Sequence, residues 1–220
     1  MPRFLPRTAI LLGAAASTAY FVLGRLGGGG WVALKVASIV ALAVAAGSFR
    51  TPGARALGLA ILVHSGGDLL IEVGPLPIAM AAFAVGHVLY ARLFLRERRP
   101  WEEVGAGIKV RLGLLALVGA GLLAWLGPHL EPPFDVAVPI YAALLLAMAA
   151  SAQLSGRGMP WVAIGAGLFV LSDSLLALDL FAGPLAWTRG WVWPSYWLAQ
   201  AAIAVGWLWG PSRSGGLAGD

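Results

Sequence analysis

Apolar and polar positions in this chain fall into long apolar runs separated by brief breaks. Eight runs can be drawn, at about 8–26, 31–49, 53–72, 76–95, 110–127, 134–154, 160–181 and 193–210. Each approaches the ~20 residues of helix that cross a bilayer. The breaks have physical causes. "GRLGGGG" is a flexible turn, and "RTPGAR" and "VGPLP" stop helices with proline and glycine. "RERRPWEEVGAG" is a charged connector expected at the surface, and "GPHLEPPFD" and "AGPLAWTRGWVWP" read as polar or proline-rich loops. The pattern predicts an all-α, polytopic membrane helix bundle: eight transmembrane helices in a single transmembrane domain over 1–220.

Composition agrees. The 220 residues are 60% hydrophobic and only 11% charged, with a mean hydropathy of +0.84; a soluble domain is nearer half apolar and a quarter charged. There is no cysteine, which excludes disulfides, thiolate chemistry and cysteine metal sites. The start, "MPRFLPRTAILLGAAASTAY", has the basic, apolar and small-residue order of a signal peptide. Its apolar run continues through "YFVLG", and we read it as a retained first helix.

The net charge of +5 says more about orientation than about nucleic acid, because the basic residues flank apolar runs. With the N-terminus in the cytoplasm, twelve of the 15 basic residues lie inside: Arg3, Arg7, Arg50, Arg55, Arg92, Arg96, Arg98, Arg99, Lys109, Arg111, Arg157 and Arg213. Arg25, Lys35 and Arg189 lie outside. This bias predicts both termini inside and suits a bacterial inner (plasma) membrane. Tryptophans agree as interfacial anchors: Trp31, Trp125, Trp187, Trp191 and Trp193 at outer ends, Trp101, Trp161, Trp207 and Trp209 at inner ends. Gly119, Gly121, Gly165 and Gly167 are expected to allow close helix packing. They do not imply phosphate binding, since neither a dinucleotide fingerprint nor a Walker motif is present.

Against this background the stretch "LVHSGGDLLIEVG" is unusual. His64, Asp68 and Glu72 recur every four residues, along one stripe of a helix. A charge at the bilayer centre costs at least ~2.5–3.5 kcal/mol, so each intramembrane ionisable group needs a reason. The others are Lys35, His87 and Asp173, with Tyr90, Tyr141, Tyr196 and Gln200 adding hydrogen-bonding capacity. At ~1.5 Å of rise per residue, Lys35, His64, Asp68, Tyr141, Asp173, Tyr196 and Gln200 all fall within about 12 Å of the outer span ends. His87 falls near the midplane and Tyr90 deeper. The polar groups therefore favour one leaflet and predict a polar cavity opening outward. Glu72 and Asp179, near helix ends, read as solvated.

The chemistry open to this set is narrow. Ser65 and Ser172 lie in no G-x-S-x-G elbow. HExxH is absent, and one histidine with two carboxylates on one helix forms no known metal motif, so neither metal nor cofactor is implied. Asp68 and Asp173 are the best-placed groups, two carboxyls on different helices. Two such groups in a dry site can hold one proton, which one donates while the other stabilises positive charge or activates water.

The segments "HSGGDLLIE", "AAFAVGHVLY", "GAGLFVLSDSLLALDLF" and "YWLAQAAIAVGW" together resemble the YhhN/TMEM86 family of integral membrane proteins. The likeness runs from the lysine-bearing second span to the last helix. It is most specific at Gly67-Asp68 and Ser172-Asp173, and departs at Val36, where the family often has proline. Characterised members are lysoplasmalogenases, which hydrolyse the vinyl ether bond of lysoplasmalogens to a fatty aldehyde and a glycerophospho-base. The resemblance implies that activity, with a lysophospholipid and the bilayer as partners, no nucleic acid, and Asp68 and Asp173 as catalytic residues. Lys35, His64, Tyr141, Tyr196, Gln200 and His87 are the candidate substrate-binding residues, with Lys35 neutralising a phosphate or orienting an aspartate. A proton-coupled transporter or lipid flippase is the main alternative, because buried carboxylates also serve proton coupling. A lipid-binding scaffold is the third reading.

Overall fold

A computed structural model describes residues 5–24, 31–183 and 188–211. Arg3, Arg25, Trp187, Arg213 and the glycine-rich turn after residue 24 lie outside the described residues, as does the side chain of Arg189. Among the described residues eight α-helices follow one another: α1 (Leu5–Leu23), α2 (Val32–Gly47), α3 (Pro52–Val73), α4 (Leu76–Arg96), α5 (Ala106–Leu126), α6 (Phe134–Leu154), α7 (Trp161–Phe181) and α8 (Arg189–Trp209). Among the described residues there is no strand, only an isolated bridge between Arg98 and Ser155. Six of the helices are long and apolar enough to cross a membrane, which makes the chain a multi-pass integral membrane protein. α2 is shorter, and α8 is diluted by tryptophans, Tyr196 and Gln200.

Local sequence explains the helix ends. Thr51 caps α3, its hydroxyl accepting from the Ala54 N–H at 3.2 Å, and Pro52 opens the first turn. Gly74 and Pro75 then end α3 and allow α4 to begin at Leu76. α8 differs from expectation: it starts at Arg189, and Pro194 lies inside it. Pro194 still falls in the second turn. There its missing N–H costs a single bond, to the Gly190 carbonyl. Pro139 occupies the equivalent place in α6.

The chain forms two compact units, residues 1–93 and 94–220. In the first, α2 packs between α1 and α3. α3 and α4 meet through glycines: a methyl on Gly67 would approach the Phe83 ring to 3.0 Å, and one on Gly86 would come within 2.3 Å of the His64 ring. In the second unit, α7 and α8 form the closest pair, with α6 against α7 and α5 against α6. Gly165 lets α8 approach so closely that a methyl there would lie 2.7 Å from the Ala199 carbonyl. Two expected interfacial tryptophans are core residues instead. Trp207 is buried beneath the Arg157 guanidinium, 5.2 Å from the ring centre, and Trp193 is buried against Tyr196.

Gly66 and Gly86 give opposite predictions. α3 runs unbroken through Gly66, where a methyl meets nothing within 4 Å. Gly66→Ala should therefore raise stability by about 0.5–1 kcal/mol, the helix-interior difference between the two residues. Gly86→Ala should lower it by about 1–3 kcal/mol through overpacking against His64. Thermal unfolding midpoints of the purified full chain check both signs.

Candidate active site

In the first unit, Lys35 of α2 reaches the acidic stripe of α3. Its Nζ donates to Glu72 Oε1 at 2.7 Å and lies 4.0 Å from Asp68 Oδ1. Lys35 and Asp68 are buried, at 8% and 3% exposure, while Glu72 is the exposed member. Because Asp68 and Glu72 stand one turn apart on one face, a single ammonium serves both. The Tyr20 ring of α1 lies 5.9 Å from the same nitrogen, within cation–π range. Ser38 Oγ donates to the Lys35 carbonyl at 2.7 Å and packs against α1 at Gly13.

His64, a turn before Asp68, belongs to a different cluster. Its Nδ1 is 2.8 Å from the Ala60 carbonyl, and its Nε2 is 3.4 Å from His87 Nδ1. A carbonyl only accepts, so Nδ1 of His64 carries the proton and its Nε2 accepts from His87. Tyr90 lies against the same ring, with centroids 5.0 Å apart. His64, His87 and Tyr90 are all fully buried. The pair joins α3 to α4.

In the second unit, Tyr141 of α6 donates its hydroxyl to Asp173 Oδ2 of α7 at 2.5 Å. That is the short end of the range for O–H···O hydrogen bonds. Asp173 is half-buried. The neighbouring Ser172 hydroxyl donates to the Val192 carbonyl at 3.0 Å and ties α7 to α8. On α8, Gln200 Nε2 donates to the Tyr196 hydroxyl at 3.3 Å, and the Tyr196 ring meets Phe169 edge-on at 5.3 Å.

The candidate residues thus group as Lys35 with Asp68, His64 with His87, Tyr141 with Asp173, and Tyr196 with Gln200. Asp68 belongs to the first unit and Asp173 to the second. Glu72, exposed near the end of α3, makes the shorter contact to Lys35. Its position four residues after Asp68 was the available signal.

The chain belongs to the YhhN family, which matches it over residues 30–207. It is 32% identical over 166 residues to lysoplasmalogenase TMEM86A of Bos taurus, covering 70% of this chain and 65% of that one. Lysoplasmalogenase TMEM86B of Homo sapiens is 34% identical over 133 residues, 60% of this chain and 54% of that protein. A lysoplasmalogenase of Mycobacterium tuberculosis is 30% identical over 156 residues, with 69% and 59% covered. The chain therefore spans less than two thirds of the length of these relatives. No solved structure matches the chain.

The ion cluster makes a stability prediction. Lys35→Met leaves Asp68 buried without its ammonium and should cost about 3–5 kcal/mol. Adding Asp68→Asn to that variant should restore a large part of the loss. Unfolding midpoints of the single and double variants check this; equal midpoints would mean that the pair holds nothing together.

Proposed function

We propose that this protein is a membrane-embedded lysoplasmalogenase. It hydrolyses the vinyl ether bond of a lysoplasmalogen to a fatty aldehyde and a glycerophospho-base. The observation that carries the reading is the contrast between two carboxyl environments, in a chain similar to proteins named lysoplasmalogenases: Asp68 beside an ammonium, Asp173 beside a phenol.

The chemistry begins with a proton delivered to the outer carbon of the C=C–O unit, which leaves an oxocarbenium ion. Water adds to that cation and releases a proton. The resulting hemiacetal breaks its C–O bond, giving the aldehyde and the free glycerol hydroxyl. The reaction needs one acid and one anion, as in two-carboxylate glycosidases. We assign the acid to Asp173. Its Oδ2 accepts from Tyr141, so a proton carried on Oδ1 is the one to be transferred, and the proton released from water restores it. We assign the anion to Asp68. The Lys35 ammonium lies 2.7 Å from Glu72 and 4.0 Å from Asp68, so Asp68 shares its cation with a second acid. Tyr196 and Gln200 are assigned to polar substrate atoms or to the attacking water, and the His64–His87 pair holds α3 in register with α4.

Purified full chain should release aldehyde from lysoplasmalogen and leave an ester lysophospholipid intact, followed by mass. Asp68→Asn and Asp173→Asn should each lower turnover by about 10²–10⁴, and Tyr141→Phe by roughly tenfold, about one charge-assisted hydrogen bond. Absence of aldehyde from correctly folded wild type sinks the activity. Near wild-type turnover in either asparagine variant removes that residue from the mechanism.

The same reading has all eight helices crossing a bacterial plasma membrane, with the N-terminal side of α1 in the cytoplasm. The support is the basic content of the α2–α3, α4–α5 and α6–α7 connections and of the helix turns beside them. With no native cysteine, the test is direct. In intact cells an impermeant maleimide should label Glu131→Cys at once. Glu102→Cys should react only after permeabilisation. The reverse pattern would invert the protein.

A further inference from the structure

Lys35, expected to neutralise a lipid phosphate or to orient an aspartate, is committed to Glu72 and Asp68. A phospholipid substrate needs another positive group. The second unit has one that the mechanism does not use. A cavity of about 350 Å³ lies between α5, α6 and α7, inside the range of small-molecule sites. Arg111 and Gln153 line it together with Leu114, Val118, Leu171 and Ser174.

The arginine is oriented by a buried amide. Arg111 Nε donates to Gln153 Oε1 at 2.8 Å, and Gln153, only 5% exposed, donates from Nε2 to the Ala163 carbonyl of α7 at 3.3 Å. A guanidinium carries five N–H donors, and this contact uses the one on Nε. Among the described residues no carboxylate forms an ion pair with Arg111. The remaining donors form the planar fork that suits the oxygens of a phosphate. Beyond it the lining is almost wholly hydrocarbon. The groove follows α5 from Arg111 to Val118, about 10 Å of helix. Its α7 wall includes Val170, Leu171 and Ser174, which bracket Asp173 in sequence. A positive end and an apolar body make the complement of an anionic, single-chain amphiphile.

We propose that this groove holds a single-chain phospholipid, with its phosphate on Arg111 and its chain along α5 and α7. The inference rests on the lysoplasmalogenase reading for the identity of that lipid as substrate. The phosphate contact stands apart from turnover and can be tested without it.

The probe is lysophosphatidylcholine with a saturated ester chain, which has no vinyl ether to cleave. Its comparison is the monoacylglycerol of the same chain, which lacks the phosphate. Binding of each to the full chain in detergent is measured by equilibrium dialysis, with folding followed by circular dichroism. Wild type should bind the phospholipid about tenfold more tightly than the monoacylglycerol, the size of one charge-assisted contact. Arg111→Gln should abolish that preference and leave monoacylglycerol binding unchanged, while Arg111→Lys keeps part of it. Gly167→Leu adds bulk to the groove wall, where a first methyl meets nothing within 4 Å. It should weaken both ligands by a similar factor, and it decides the matter if Arg111→Gln fails to fold. Retention of the preference in Arg111→Gln, or wild-type binding of both lipids in Gly167→Leu, overturns the proposal. So does displacement of the lipid by inorganic phosphate alone, which would make this a free-anion site. Loss of the preference in Arg111→Gln with no aldehyde release from wild type would uphold the lipid site and sink only the hydrolase reading.

Discussion

A lysine shared between two acids on the next helix is the interaction on which the first unit depends. In hydrocarbon no water is present to solvate a charge, and each ionised group must find its partner within the protein. Lys35 meets that demand for Asp68 and Glu72 together, and in doing so fixes the register of α2 against α3. The contact is possible because small residues let the helices come close. Gly13 of α1 accepts the Ser38 turn of α2, and Gly58 of α3 lies against the Ala43 carbonyl. Close packing of small residues, in a medium with no hydrophobic drive between helices, is the usual source of membrane helix association. The polar cluster and the glycine contacts therefore depend on each other.

The second unit solves the same problem with neutral partners. Tyr141 serves Asp173, the Tyr196 hydroxyl accepts from Gln200, and the Ser172 hydroxyl uses a backbone carbonyl of α8. Each bond is local or links adjacent helices, and the α7–α8 pair around Gly165 is their platform. Neutral donors can hold a carboxyl in place whether or not it carries a proton, whereas an ammonium favours the anion.

Much of this fold was legible in the chain because apolar run length and proline or glycine punctuation are local properties. α6, Phe134–Leu154, coincides with its run, and α3, α4 and α7 agree to within a residue at either end. The start of α8 was misjudged because proline was read as a terminator. In the second turn of a helix it removes one bond and leaves the rest of the helix free to form. Gly66-Gly67 does not interrupt α3, whose backbone is helical through both. The candidate site was legible one helix at a time. Spacing put Asp68 and Glu72 on one face, but nothing in it identified Lys35 as their common partner, since that depends on how α2 rotates against α3. Trp193 and Trp207 were read as interfacial for the same reason: sequence gives the end of the helix on which a ring lies, and packing decides whether the ring faces the core.

Under the proposed function, the two carboxyl environments bear on why an enol ether would be cleaved and an ester spared. Ester hydrolysis begins at an electrophilic carbonyl and calls for a nucleophile and an oxyanion hole. An enol ether has no such carbon until it is protonated; its outer carbon is the nucleophile. The demand is therefore reversed, and what must be stabilised is a cation. One carboxyl on a phenol and another beside a lysine that a second acid also holds are the groups we assign to the second reaction. A hydrocarbon setting strengthens this bias, because the attraction between a carboxylate and an oxocarbenium ion grows as the effective dielectric falls.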